Sequence, residues 1–88
     1  MSIWYVYIIR CKDTTYYTGI TNNVGRRLEM HSKNKGAKYT RGRQPIELMA
    51  FWEFESKSEA SKREYVIKKL SKKQKEELIN SYKNNGNR

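Results

Sequence analysis

The sequence predicts a small α+β domain, an α/β sandwich with the element order β-β-α-β-α-α. Runs rich in β-branched and aromatic residues predict strands at residues 3–11, 16–20 and 46–54. Segments that pair an N-cap type residue with apolar side chains at helical spacing predict helices at residues 24–33, 56–70 and 72–82. With 88 residues, the chain has room for one domain, which we expect at residues 1–83, followed by a disordered basic tail at residues 84–88.

The first two strands predict an antiparallel hairpin, because Lys12–Thr15 contains the Asp and Thr types that favour tight turns. Alternation along a strand places Tyr5 and Tyr7 on one face, and Tyr17 shares a face with Gly19 on the second strand. Such a cluster of tyrosines is also what an ordinary aromatic core would contain. A glycine inside a strand indicates that another group approaches the backbone closely.

Charge limits the choice of partner. The chain has 19 Lys and Arg against 9 Asp and Glu, for a net charge of +10. This excess predicts binding to a polyanion. Nucleic acid is favoured over a membrane surface, because no stretch combines a strongly apolar face with a basic one. The single cysteine, Cys11, excludes an intramolecular disulfide and a zinc cage built from cysteines. No apolar segment has signal-peptide or transmembrane length, so we expect a cytoplasmic protein.

The segment at residues 34–45 is polar, basic and rich in glycine, which predicts a long loop. Cations interleaved with a tyrosine and glycines suit a segment that follows a phosphate backbone, although a merely solvated basic loop has the same composition. With one lysine of the later helix added, the expected nucleic-acid contacts are Lys35, Lys38, Tyr39, Arg41, Arg43 and Lys68.

Two helices carry candidate site residues. Arg27 and His31 lie one turn apart beside the inward stripe of the first helix, where they could meet a phosphate or serve as ordinary boundary residues. In the second helix, the apolar positions Ala60, Val66, Ile67 and Leu70 place Glu64 at the margin of the stripe and Arg63 nearer its middle. An ion pair between Glu64 and Lys68 would by itself explain the glutamate.

Together these features resemble the GIY-YIG nuclease superfamily over residues 3 to 80. Tyr5-Val6-Tyr7 and Tyr17-Thr18-Gly19 stand where the family has its two name-giving tripeptides, followed by Arg27, His31 and Glu64. The chain is most similar to small bacterial single-domain members, akin to the nuclease domains of Slx1 and UvrC. Two positions depart from the family pattern, with Tyr5 in place of Gly and Thr18 in place of Ile.

The resemblance implies a three-stranded antiparallel sheet flanked by helices and a metal-dependent endonuclease activity. By the same resemblance, Glu64 would bind a single Mg²⁺ or Mn²⁺, Arg27 would neutralise the scissile phosphate and Tyr7 would help to deprotonate the attacking water. Tyr17 and His31 would support this catalytic network. The expected substrate is DNA rather than RNA, cut with structure-directed or weak specificity, and a partner protein could supply specificity to the monomer or weak dimer.

Two other functions fit the same residues. A non-catalytic module could grip DNA or RNA with the basic face and stack bases on tyrosines. An accessory protein of repair or translation could instead dock an acidic protein surface with its positive charge. The first alternative would bind independently of metal and survive the loss of Glu64, and the second would bind its partner without nucleic acid.

Overall fold

The structure is a computed structural model that describes residues 3–33 and 45–84. The elements follow the predicted order and are β1 (Trp4–Arg10), β2 (Tyr16–Thr21), α1 (Val24–Ser32), β3 (Glu47–Phe54), α2 (Lys57–Lys68) and α3 (Lys72–Asn84). The three strands form one antiparallel sheet of order β2-β1-β3. The α+β class and the three-stranded antiparallel sheet flanked by helices are therefore confirmed.

Capping residues define the starts of the three helices close to where the sequence predicts them. The side chain of Asn23 accepts a hydrogen bond from the backbone N–H of Arg26, and Ser56 caps α2 in the same way. Before α3, the Ser71 side chain accepts from the N–H of Gln74, and the Gln74 side chain accepts from the N–H of Ser71. This reciprocal pair is a capping box, and it separates α2 from α3. The last helix reaches Asn84, two residues beyond its predicted end.

The two faces of the sheet contact different helices. On one face, α2 and α3 cover Val6 and Ile8 of the central strand, and this core also contains Ala50, Ala60, Ile67 and Ile79. Tyr7 belongs to the other face, where it contacts His31 of α1. Because β1 lies between both neighbours, its residues 6–9 are almost completely buried. The central strand thus holds Tyr7 rigidly between the core and α1.

Two details differ from the sequence interpretation. Val66 is 47% exposed and Arg63 is also exposed, so the inward side of α2 consists of Ala60, Glu64 and Ile67. The contact surface follows the small Ala60, which lets the helix approach the sheet, rather than the branched Val66. Glu64 lies at the margin of this side, as predicted, with its side chain 21% exposed, whereas the predicted position of Arg63 nearer the middle was wrong because Arg63 is exposed.

The third strand is also less enclosed than its apolar composition suggests. It is an edge strand, and burial alternates along it, with Ala50 buried and Phe51 38% exposed.

The predicted loop contacts Lys35, Lys38, Tyr39, Arg41 and Arg43 lie outside the described residues, and so do residues 85–88 of the predicted tail. Of the residues expected to contact nucleic acid, Lys68 is described.

Candidate active site

The candidate site centres on the hydroxyl group of Tyr7. This side chain is 2% exposed, and its oxygen lies 2.9 Å from Nε2 of His31 in a buried hydrogen bond. The ring of Tyr17 packs against both partners, with centroid distances of 6.3 Å to Tyr7 and 5.3 Å to His31. Two side chains, Tyr17 of β2 and His31 of α1, therefore fix the orientation of the Tyr7 phenol on β1.

Gly19 makes room for this phenol. It lies directly opposite Tyr7 in the sheet, and a Cβ atom at Gly19 would stand 2.6 Å from the hydroxyl oxygen and 2.9 Å from Cζ of Tyr7. The same atom would be 3.1 Å from Cε2 of Tyr17. The prediction that a group approaches the backbone closely at Gly19 is confirmed, and that group is the Tyr7 side chain.

Replacing Gly19 by alanine should therefore displace the Tyr7 hydroxyl. The buried ring has no flexible tail that can yield, so we expect a loss of about 1–3 kcal/mol of unfolding free energy. A reacting group misplaced by an ångström reduces turnover by about 100-fold. Denaturant unfolding measures the first effect and single-turnover cleavage the second.

Gly25→Ala is the matched stability control, because a Cβ there meets only Oδ1 of Asn23 at 3.8 Å. Since alanine favours a helix by up to about 1 kcal/mol over glycine, Gly25→Ala should unfold at the same or a higher denaturant concentration than the wild type. Equal stability of Gly19→Ala and Gly25→Ala would contradict the packing described for Tyr7.

The first helix carries both the histidine that contacts Tyr7 and an arginine. His31 is fully buried, and Arg27 lies one turn earlier on the same side of α1. The Arg27 guanidinium lies close enough to the Tyr7 hydroxyl to oppose the rise of its pKa. Its Nε atom is buried and has no hydrogen-bond partner among the described residues. A buried guanidinium nitrogen without a hydrogen-bond partner costs folding free energy.

Burial sets the protonation states of the central pair. Desolvation raises the pKa of Tyr7 to about 12, and this outweighs the opposing effect of Arg27. Desolvation, together with the positive charge of Arg27, lowers the pKa of His31 to about 4. At neutral pH Tyr7 is therefore protonated and His31 is uncharged, so that Nε2 of His31 can accept the hydrogen bond that Tyr7 donates.

Glu64 is the acidic residue of the site. Its negative charge contributes to the raised pKa of Tyr7, which places it within electrostatic reach of the hydroxyl. The carboxylate is 3.2 Å from Nζ of Lys68, and the Glu64 side chain is 21% exposed against 53% for Lys68. The predicted ion pair between them is confirmed. It coexists with an inward position that an ordinary surface pair on a helix would not have.

The chemistry of the site fits a magnesium-type ion. In residues 3–33 and 45–84, no three His, Cys, Asp or Glu side chains cluster closely enough to form a metal cage. Mg²⁺ does not need such a cage, since it keeps several waters and is commonly held by one or two carboxylates together with substrate phosphates. The single partly exposed carboxylate of Glu64 matches this requirement.

A cleft of about 270 Å³ opens beside Arg27. Its walls are Thr21, Asn22, Asn23, Arg26, Arg27 and Met30. The sequence interpretation treated Asn22 and Asn23 only as cap types and gave Arg26 no function. The signal that could have identified them is their position at the start of the helix that carries Arg27, where a polar segment meets a basic one.

The structure thus brings Tyr7, Tyr17, Arg27 and His31 into one cluster, with Glu64 close enough to influence Tyr7. Thr18, the departure from the family tripeptide, has a buried hydroxyl without a partner in the described part of the chain. No helix among the described residues is long and apolar enough to span a bilayer.

Comparisons with known proteins show the family of this chain. The sequence model of the GIY-YIG catalytic domain matches residues 3–77. A UPF0213 protein of Halalkalibacterium halodurans is 55% identical over 75 residues, covering 85% of this chain and 80% of the relative. A UPF0213 protein of Clostridium perfringens is 56% identical over 77 residues, covering 88% and 83%.

Two solved structures are also similar. The solution NMR structure of a UPF0213 protein from Bacillus halodurans has a TM-score of 0.58 at 52% identity, covering 89% of this chain and 83% of that one. The solution NMR structure of the protein EF2693 from E. faecalis has a TM-score of 0.67 at 37% identity, covering 100% and 94%. Since the family match spans most of the sequence and the relatives are matched over most of their length, this chain belongs to the GIY-YIG catalytic-domain family.

Proposed function

We propose that this protein is a metal-dependent phosphodiesterase of the endonuclease type that acts on DNA with structure-directed or weak specificity. The observation that carries the proposal is the buried hydrogen bond between the Tyr7 hydroxyl and His31, with the Arg27 guanidinium close enough to act on the pKa of the same hydroxyl. A phenol and an uncharged imidazole can relay a proton from water, and a nearby cation can stabilise the charge on a phosphate.

Proton transfer follows from the protonation states. A water molecule that attacks phosphorus must lose a proton, and the Tyr7 oxygen can accept it as its own proton passes to Nε2 of His31. The 2.9 Å separation of the two atoms permits this second transfer. Tyr7 therefore does not need to lose its proton before the reaction begins. Its pKa of about 12 would oppose such a loss at neutral pH.

Arg27 is suited to bind the phosphate. Its buried Nε atom is unpaired within the described structure, and a non-bridging phosphate oxygen would satisfy it. Negative charge grows on these oxygens as the water attacks, so a fixed guanidinium stabilises the transition state more than the ground state. Tyr17 packs on both Tyr7 and His31, and its function in this proposal is to hold their rings in place.

Glu64 would hold a single Mg²⁺ or Mn²⁺. A divalent ion there supplies Lewis-acid stabilisation of the charge that develops during phosphodiester cleavage. Glu64 would exchange its contact with Lys68 to do so, and a partly exposed pair of this kind contributes only about 1 kcal/mol or less. Lys68 is then free to contact the backbone of the nucleic acid, as the net charge of +10 favours.

Incubation of the purified protein with labelled DNA tests the proposal. The panel should contain branched, flapped, duplex and single-stranded DNA, with matched RNA strands, in Mg²⁺, Mn²⁺ or excess EDTA. We expect cleavage of at least one DNA structure with either metal and none in EDTA. Binding to DNA without cleavage of any substrate in either metal would contradict the proposal and favour the non-catalytic binding module. Retention of a protein partner after nuclease treatment of a pull-down, without DNA binding, would favour the accessory protein.

A further inference from the structure

A second cleft lies next to the one beside Arg27. It has a volume of about 410 Å³ and is lined by Tyr5, Asn22, Asn23, Val24, Gly25 and Phe51. Asn22 and Asn23 form part of the walls of both clefts. The proposed mechanism uses Arg27 but assigns no function to this second, aromatic cleft, although the two clefts share Asn22 and Asn23.

The walls of the aromatic cleft have a defined geometry. The rings of Tyr5 and Phe51 are 6.0 Å apart between centroids and stand at 78° to each other. They form a corner in which a flat ligand stacked on one ring meets the edge of the other, an arrangement that aromatic quadrupoles favour. Phe51 is 38% exposed on the edge strand, so part of its ring is accessible to a ligand.

The remaining walls are polar and open. The Asn23 side chain accepts from the N–H of Arg26 through Oδ1, which leaves its NH₂ group able to donate elsewhere. Gly25 contributes no side chain, and a Cβ atom there would meet nothing closer than 3.8 Å. The packing of the protein itself therefore does not require the glycine, and its absence of a side chain keeps the cleft open.

We propose that this aromatic cleft binds a nucleobase adjacent to the phosphate held by Arg27. The inference rests on the proposed function and adds a subsite to it. A flat ring with hydrogen-bonding edges matches the Tyr5 and Phe51 corner with its amide wall, and the base and phosphate of one strand would occupy the two adjoining clefts. The base must be unpaired to enter, so the cleft selects single-stranded or splayed DNA. Stacking tolerates every base, in keeping with weak sequence specificity.

Binding of two fluorescein-labelled octamers in EDTA tests the proposal by fluorescence anisotropy, without any cleavage. One octamer is octathymidylate and the other has the same backbone with abasic sites. Loss of stacking on a single site weakens binding by about 5- to 150-fold, so we expect the wild type to prefer octathymidylate by such a factor. Equal affinities of the wild type for the two octamers would overturn the proposal.

Variants assign any preference to this cleft. Gly25→Leu fills the cleft while favouring the helix, and Phe51→Ala removes one wall; both should bind the two octamers equally. Tyr65→Ala is the control, because Tyr65 is 62% exposed on α2 and does not line the cleft. It should keep the wild-type preference. A preference that survives in Gly25→Leu and Phe51→Ala would place base stacking elsewhere and overturn the proposal.

The outcomes remain separable from those of the cleavage panel. If the protein cuts no substrate but shows a base preference that depends on Gly25 and Phe51, the base-binding cleft is supported and the proposed nuclease activity is contradicted. If the protein cuts DNA but shows no base preference, the nuclease activity is supported and the base-binding cleft is contradicted. Thermal unfolding of Gly25→Leu and Phe51→Ala identifies loss of folding, and Gly25→Leu is expected to unfold no earlier than the wild type.

Discussion

Replacement of Glu64 by alanine is expected to lower the rate of DNA cleavage by about 1000-fold or more while the protein stays folded and still binds DNA. Glu64 is the carboxylate whose charge acts on Tyr7, and it is the proposed ligand of the divalent ion. Losing it removes the charge stabilisation that the ion supplies. Single-turnover cleavage with saturating Mg²⁺ measures the effect on a substrate identified in the panel.

The fold should tolerate this change. Alanine is the most favourable helix residue, and the lost pair with Lys68 is partly exposed, so the stability cost is about 1 kcal/mol or less. Binding to DNA should be unchanged or tighter, because the variant removes a negative charge near the phosphates. Weak cutting together with retained binding therefore separates a catalytic function of Glu64 from a structural one.

Glu77→Ala provides the matched control. Glu77 is exposed on α3, and its replacement changes the net charge by the same amount as Glu64→Ala. It should cut at the wild-type rate. Equal rates for Glu64→Ala and the wild type would show that Glu64 is not needed for cleavage.

Much of the fold could be predicted from local signals. The tight turn before β2, the cap at Asn23 and the reciprocal cap of Ser71 and Gln74 are all short-range features that the sequence displays directly. Gly19 also carried a readable signal, since a glycine inside a strand indicates close approach. What the sequence pattern could not supply was the approaching group, because Tyr7 is 12 positions away and meets Gly19 only through the strand register.

The site residues depended on the resemblance to a known family rather than on periodicity. Helical spacing alone placed Arg63 closer to the core than Glu64, because it counted Val66 as an inward residue. Packing of α2 on the sheet instead turns Ala60 inward and leaves Val66 47% exposed. Tertiary contact thus decides which face of a weakly amphipathic helix is buried.

The aromatic cleft could not be predicted for a related reason. Phe51 lies in a run of apolar residues that is typical of a strand enclosed by helices, yet the strand lies at the edge of the sheet. Its exposure follows from the order β2-β1-β3, which no local pattern encodes. Tyr5, at a position where the family pattern has glycine, completes the corner that only the folded structure reveals.

The second large effect is expected for Tyr7→Phe. The substitution keeps the buried ring, its contact with Tyr17 and the space above Gly19, and removes only the hydroxyl. Nε2 of His31 then lacks the partner it has 2.9 Å away, at a cost of about 1–3 kcal/mol of stability. Without the oxygen that accepts the proton of water, cleavage should fall by about 10²- to 10⁴-fold.

Proton transfer to His31 also gives this reaction a pH dependence. His31 accepts the Tyr7 proton only when it is uncharged, and its pKa is lowered to about 4. Wild-type cleavage should therefore stay active through mildly acidic pH and fall as the pH approaches 4, where His31 becomes protonated. If His31 instead had its ordinary pKa of 6.5, the cleavage rate would begin to fall at a much higher pH on the acidic side of the profile.

The single-turnover rate of Tyr7→Phe relative to the wild type, measured at neutral pH with saturating Mg²⁺ and enzyme in excess over DNA, tests the catalytic site most directly. Saturation removes differences in binding, and unfolding curves confirm that both proteins are native. A reduction of about 100-fold or more is the predicted result for a phenol that takes part in proton transfer. A rate within about twofold of the wild type, well below the smallest effect of a positioned acid or base, would contradict it.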